Sequence, residues 1–247
     1  MKTIFFSITV FILADITTGD VVKHYFSEFI GTFGFVFIGL GSVVFAAPFI
    51  GYLGISMAFG LAYAAVCFAF PDGHFNPAAT IAAALSGRFC AHSKIGTALR
   101  VSGYILAQMA GACAAAAVVY FVYSGKTGYV PQETAGANII NRYALSSAFY
   151  LEAVLMLLFL CVFLGTYENK SHQPIACGFF ITAAFLLSYP VTKGALNPAR
   201  TTAAALFGGE EALAQLPFFW EAALIASLIA GIIYNPQIGN IFRKKSS

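Results

Sequence analysis

Six stretches of the chain, roughly 25 to 47, 51 to 70, 99 to 123, 145 to 166, 174 to 190 and 214 to 235, are almost wholly apolar. Each is close to the 20 or so residues that a helix needs to cross a bilayer. Two further apolar segments, 76 to 86 and 197 to 207, are too short to cross, and both begin with Asn-Pro-Ala. The pattern predicts an all-α membrane protein of six transmembrane helices plus two half-membrane, re-entrant helices.

The polar positions between these stretches set the orientation, because cytoplasmic loops collect Lys and Arg. With the N-terminus inside, Lys2, Lys23, Arg88, Lys94, Arg100, Lys170, Arg243, Lys244 and Lys245 fall on the cytoplasmic side, against Lys126, Arg142, Lys193 and Arg200 outside. Nine against four puts both termini in the cytoplasm. The halves also repeat: "EFIGTFGFVFIG" opens the first, about 25 to 123, and "EAVLMLLFLCVFLG" the second, about 145 to 235. Three spans per half reverse the direction of the second, which makes an inverted repeat whose broken helices meet near the bilayer midplane. Residues 1 to 24 read as an N-terminal apolar extension before a single domain over 25 to 247. The first 20 resemble a signal sequence, but cleavage would leave the N-terminus outside, against the charge distribution, so an uncleaved interfacial segment or an unusual start is expected.

Composition narrows the class. The 247 residues are 60% hydrophobic and 9% charged, with a net charge of +3, and nowhere is there the long basic run that a nucleic acid would need. Cys67, Cys90, Cys113, Cys161 and Cys177 form no CxxC pair and read as packing residues, so neither metal nor cofactor is expected. No nucleophile, base and orienting group recur at spacings suited to catalysis, which argues against an enzyme. His24, His92 and His172 fall in or near presumed cytoplasmic segments and read as solvated.

Candidate chemistry sits in "GHFNPAAT" (73 to 80), which returns 121 positions later as "GALNPART" (194 to 201). Irregular backbone at membrane depth is tolerated only where protein buries it or a polar cavity lies beside it. In each copy the Asn (Asn76, Asn197) can cap the short helix, the Pro (Pro77, Pro198) sits where no N–H is missed, and the Ala (Ala78, Ala199) permits close packing. Two helix N-termini would face one another, each carrying about half a positive charge. That point repels cations, while the Asn amides remain donors to a water oxygen.

These motifs, the Glu that opens each half (Glu28, Glu152) and "SGKTG" (124 to 128) make the chain resemble the aquaporin family from about residue 25 to 235. The resemblance implies a homotetramer of six-helix protomers, each with its own pore, in a bacterial inner (plasma) membrane. It places the carbonyls of Asp72, Gly73, His74 and Phe75 along one half of the pore and those of Lys193, Gly194, Ala195 and Leu196 along the other. It makes Glu28 and Glu152 buried acceptors for backbone N–H groups of the half-helix loops, in preference to proton relays. Its narrowest ring falls, by spacing, on Phe59, Phe185, Gly194 and Arg200.

That ring departs from the family. Water-selective members usually carry His where Phe185 stands, and glycerol-conducting members usually carry Gly there with an aromatic in the loop. Thr201, Ala205 and Phe219-Trp220 are of the water type. The leading reading is a passive channel that conducts water in single file and excludes ions and protons. A channel for small neutral solutes such as glycerol, urea or ammonia is the alternative, and an ion- or proton-coupled transporter is a third reading of another class. The connection "FAFPDGHF" is about three residues shorter than in similar bacterial channels.

Overall fold

The computed structural model describes residues 19–91, 93–128, 136–140 and 142–237. The signal-like segment before Gly19, His92 and the terminal basic cluster at 243–245 lie outside the described residues. Among those described are eight α-helices and no strand: α1 (Gly19–Gly41), α2 (Ala47–Ala69), α3 (Pro77–Leu85), α4 (Lys94–Ser124), α5 (Leu145–Gly165), α6 (Gln173–Thr192), α7 (Pro198–Gly208) and α8 (Glu210–Ile233).

The apolar run Val21–Ala69 is 49 residues long, too long for one crossing of a core about 30 Å thick. It divides at a π-helical turn, Ser42–Ala46, and α2 itself bends at Gly51, whose φ of 58° and ψ of −168° belong to glycine. It is therefore two spans, and with α4, α5, α6 and α8 the total is six. The ends differ from the sequence expectation in explicable ways. Helix α1 begins at Gly19, so positions 19–24 of the expected extension are its first turns. Helix α4 begins five residues before position 99, where the Ser93 hydroxyl accepts from Gly96 N at 2.9 Å and caps it. Helix α8 begins at Glu210, with Glu211 beside it, because carboxylates suit a helix N-terminus.

Packing follows the repeat. Within each half the first span lies on the third, α1 on α4 and α5 on α8, whereas the second spans, α2 and α6, pair across the halves. Each half-helix also packs on the third span of the opposite half, α3 on α8 and α7 on α4. The α2–α6 crossing is close because Gly60 and Gly178 meet there: a Cβ on Gly60 would stand 2.4 Å from the Gly178 carbonyl oxygen.

The radial distribution is that of a membrane protein. Phe26, Leu61, Phe68, Leu106, Phe121 and Phe179 point outward and are exposed, while Glu28, Gln108, Glu152 and Arg200 are fully or almost fully buried. In water such an apolar exterior would aggregate; in lipid it is the solvated surface, and the polar groups line the interior.

Candidate functional site

The two short helices meet end to end. Asn76 caps α3 at φ −155° and ψ 119°, and its side-chain oxygen accepts from Ala78 N at 3.0 Å. Asn197 caps α7 at φ −156° and ψ 108°, accepting from Ala199 N at 3.0 Å and Arg200 N at 3.3 Å. Pro77 and Pro198 each occupy the first helical position, where the missing N–H costs nothing. The remaining contact is reciprocal: Asn76 Nδ2 donates to the Leu196 carbonyl at 2.8 Å and Asn197 Nδ2 to the Phe75 carbonyl at 2.7 Å. Each amide spends one hydrogen on the other loop, and its second hydrogen remains for a permeant oxygen.

The residues before each Asn take the left-handed conformation, Phe75 at φ 53° and Leu196 at φ 49°. Such a conformation costs about 1–2 kcal/mol in a residue with a side chain. It is held by the buried carboxylates. Glu28 accepts from His74 N at 2.5 Å and Phe75 N at 2.8 Å. Glu152 accepts from Ala195 N and Leu196 N, both at 3.3 Å, and from the Thr192 hydroxyl. The four loop residues that donate are separated by the same 121 positions as the motifs themselves, so the two halves repeat atom for atom here.

Several groups in this shell were not singled out from the sequence. Gln108 of α4 donates to Glu28 Oε2 at 2.7 Å and to the Thr80 hydroxyl at 2.8 Å. Its signal was available: it is a lone amide in the apolar run of α4, and intramembrane polar residues are seldom idle. Asn138, in the α4–α5 connection, gave no such signal, because nothing periodic surrounds it.

Phe59, Phe185, Gly194 and Arg200 converge toward the Lys193 end of the site. The Phe59 and Phe185 rings stack with centroids 4.1 Å apart and planes at 25°. The Arg200 guanidinium carbon stands 5.3 Å from the Phe59 centroid, a cation–π contact. Arg200 donates to the Asn138 side-chain oxygen, to the Gly136 carbonyl at 3.0 Å and to the Lys193 carbonyl at 3.4 Å. Asn138 in turn donates to the Thr192 carbonyl at 2.8 Å. One polar hydrogen of this charge, on Arg200 Nε, has no protein partner. Phe185 occupies the room that a side chain at position 194 would need: a Cβ there would lie 2.7 Å from Phe185 Cδ1, and φ at Gly194 is +66°. Large and small residues have exchanged volume across neighbouring wall positions.

Of the carbonyls expected along the passage, those of His74, Phe75, Lys193 and Leu196 each accept one hydrogen bond from the protein. A carbonyl oxygen has two lone pairs, so a second bond remains possible at each. At either end lies a cavity. One of about 360 Å³ is bounded by residues including Lys23, His24, Asp72 and Gly73. The other, about 150 Å³, is bounded by residues including Tyr52, Arg142, Tyr189 and Lys193. His24 thus borders a mouth and stacks on Tyr104 at 6.5 Å, whereas His172 is exposed as expected.

Beside the first mouth, the Asp72 carboxylate and Lys170 ammonium are 3.6 Å apart. The His74 ring is held at both nitrogens, by the Thr80 hydroxyl and the Tyr167 hydroxyl at 3.1 Å each. Burial raises the pKa of Tyr167, which keeps that hydroxyl protonated. Beside the second mouth, burial and then the Arg200 charge hold Lys193 below the usual lysine range.

Residues 15–234 match the family described as Major intrinsic protein. Aquaporin Z of Rhodopseudomonas palustris is 38% identical over 227 residues, covering 86% of this chain and 92% of that relative. Aquaporin Z of Photorhabdus laumondii is 38% identical over 224 residues, covering 84% and 94%. The X-ray structure of the aquaglyceroporin from Plasmodium falciparum shares the fold, with a TM-score of 0.71 and 22% identity over 86% of this chain and 93% of that one.

Proposed function

This chain belongs to the major intrinsic protein family, and from that premise we propose that it is a passive channel passing water in single file while excluding ions and protons. The family is one of membrane channels rather than enzymes. The observation that carries the reading is the reciprocal pair at the centre, Asn76 Nδ2 to Leu196 O and Asn197 Nδ2 to Phe75 O. It fixes two donors between two helix N-termini, where a water oxygen is held and a cation is repelled. Arg200 adds a fixed positive charge with a free Nε–H.

The selectivity ring of the proposal is Phe59, Phe185, Gly194 and Arg200. Phe59, Phe185 and Arg200 are 0–1% exposed, so the passage there is narrow and its donors lie on the arginine side alone. Phe185 refills the volume absent at Gly194, so on this proposal glycerol is excluded or slow there. Water as permeant in a lipid bilayer, a homotetramer, a bacterial inner membrane and cytoplasmic termini complete the proposal. The last rests on the nine-to-four distribution of basic residues.

Parallel light-scattering measurements on vesicles test it. Water permeability should be high, glycerol permeability low, and neither should depend on pH or membrane potential. Phe185→Ala should raise glycerol flux well above its starting level while water continues to pass. If the unmodified protein conducts glycerol like a glycerol facilitator, or if Phe185→Ala alters neither flux, the ring assignment falls. Flux that follows a proton or ion gradient would point to a coupled transporter instead.

A further inference from the structure

We infer that Tyr63 forms a second sieve in the passage, on the Asp72 side of the paired asparagines, so that a solute admitted by the Phe185 ring meets another size limit about one helical turn deeper. The inference rests on the channel reading above and concerns a residue to which that reading assigns nothing.

Tyr63 follows Phe59 by four residues on α2, which places it on the same helix face about 6 Å farther along. Phe59 belongs to the outer ring, so the Tyr63 side chain leaves α2 toward the same axis. Its ring does not stop at its own wall. It meets Phe35 of α1 edge-on, with centroids 5.4 Å apart and planes at 86°, and Phe159 of α5 at 5.8 Å and 84°. Phe35 and Phe159 are repeat mates: each lies seven residues after the buried glutamate of its half, Glu28 or Glu152. The ring therefore sits between equivalent positions on the first spans of both halves. It also meets Phe75 of the first re-entrant loop at 6.2 Å and 78°.

The hydroxyl completes the bridge by donating to the His74 carbonyl at 3.0 Å. That carbonyl belongs to the irregular backbone expected to line the passage, so one of its acceptor sites is taken by the protein. Phe35, Tyr63 and Phe159 are 0–1% exposed. A tyrosine packed only between two helices would need neither the opposite spans nor a re-entrant carbonyl; this one reaches three elements beyond its own, α1, α5 and the first re-entrant loop. Passage of anything larger than water requires the ring to turn and to give up the His74 bond and the edge contacts with Phe35 and Phe159 together.

Two sieves in series make a testable signature, because opening one exposes the limit set by the other. Water and glycerol permeabilities of Tyr63→Val, Tyr63→Phe, Phe185→Ala and the double variant Tyr63→Val with Phe185→Ala should be measured in vesicles at several temperatures. Adding Tyr63→Val to Phe185→Ala should raise glycerol flux a further five- to tenfold or about that, whereas Tyr63→Val with Phe185 intact should leave glycerol slow. Water permeability should rise in Tyr63→Val and depend less steeply on temperature than in the parent. Tyr63→Phe keeps the ring and frees the carbonyl, so its water permeability should fall between the two. If it stays at the parent value while the Val variants fail to fold, the inference is overturned. It is equally overturned if Phe185→Ala raises glycerol flux and the added Tyr63→Val changes nothing. If the parent and Phe185→Ala, folded and inserted, both pass water no faster than empty vesicles, the channel reading itself is lost and this inference with it.

Discussion

Replacing Glu28 by Gln separates a structural carboxylate from a proton relay. Glu28 accepts from His74 N at 2.5 Å, Phe75 N at 2.8 Å and Gln108 Nε2 at 2.7 Å, all inside the protein. Bonds to a charged acceptor contribute about 1.5–3 kcal/mol each. A glutamine with its oxygen at the Oε2 position keeps the bonds from Phe75 N and Gln108, weakened because the acceptor is no longer charged, and turns its NH2 toward His74 N, so one of the three is lost and two are weakened. The reverse orientation recovers no more: the Gln108 side-chain oxygen has no partner and its amide can turn to accept from the new NH2, but the Phe75 N–H then faces that NH2. The net loss should be about 3–4 kcal/mol, which for a chain of this length lowers the unfolding midpoint by about 6–16 °C.

Thermal unfolding in detergent, followed by water permeability well below the midpoint, reads both halves of the argument. Glu28→Gln should unfold earlier yet conduct with unchanged dependence on pH. Glu152→Gln should cost less, since its backbone donors stand at 3.3 Å and it keeps the Thr192 hydroxyl. An unshifted midpoint in Glu28→Gln together with an altered pH dependence of flux would refute the structural role and favour a relay.

Two further outcomes follow from the ring. Asn138→Ala removes an acceptor from the Arg200 guanidinium and should raise cation or proton leak in the direction of Arg200→Ala, but less, as measured by dye-reported flux; unchanged selectivity in both variants would end the filter assignment. Mercurials should inhibit the parent weakly, because Gly194 stands where a cysteine three residues before the second motif's Asn would be blocked. Gly194→Cys should create strong block, more so beside Phe185→Ala, since the new side chain otherwise meets the Phe185 ring at 2.7 Å; potent block of the unmodified protein would mean that another thiol, such as Cys67 or Cys177, is reached.

How far the sequence foretold this arrangement depended on the range of the interaction. The spans and half-helices were legible because apolar length and Asn-Pro caps are local signals, and α3 and α7 begin one residue after the predicted starts at 76 and 197. The division of the first apolar run was visible only as two adjoining stretches; that it turns through a π segment at Ser42–Ala46 depends on how α1 and α2 pack. Glu28 and Glu152 could be named from their place in the repeat. Asn138 could not, because it acts through a loop that folds back across 62 positions to reach Arg200, and no pattern in its own segment records that contact.

The volume exchange at the ring shows why a motif read position by position misjudges a passage. Taken singly, Phe185 removes a donor and Gly194 removes bulk, and the two changes point to opposite selectivities. Taken together, they are one packing event: the Phe185 ring lies where a residue-194 side chain would be, and it stacks on Phe59 at 4.1 Å. On the proposed ring, what the pair alters is therefore polarity more than bulk, since Phe185 fills the space at position 194 while donors remain on the arginine side alone. If the ring is the constriction proposed, it should still favour water over glycerol, because water can turn its oxygen to Arg200 and lose little against the phenyl faces. Glycerol must fit three carbons into the same gap before its hydroxyls can gain anything. On the proposed ring, selectivity is accordingly a property of close packing between α2, α6 and the second re-entrant loop, and a substitution that loosens that packing should act on solute size before it acts on charge.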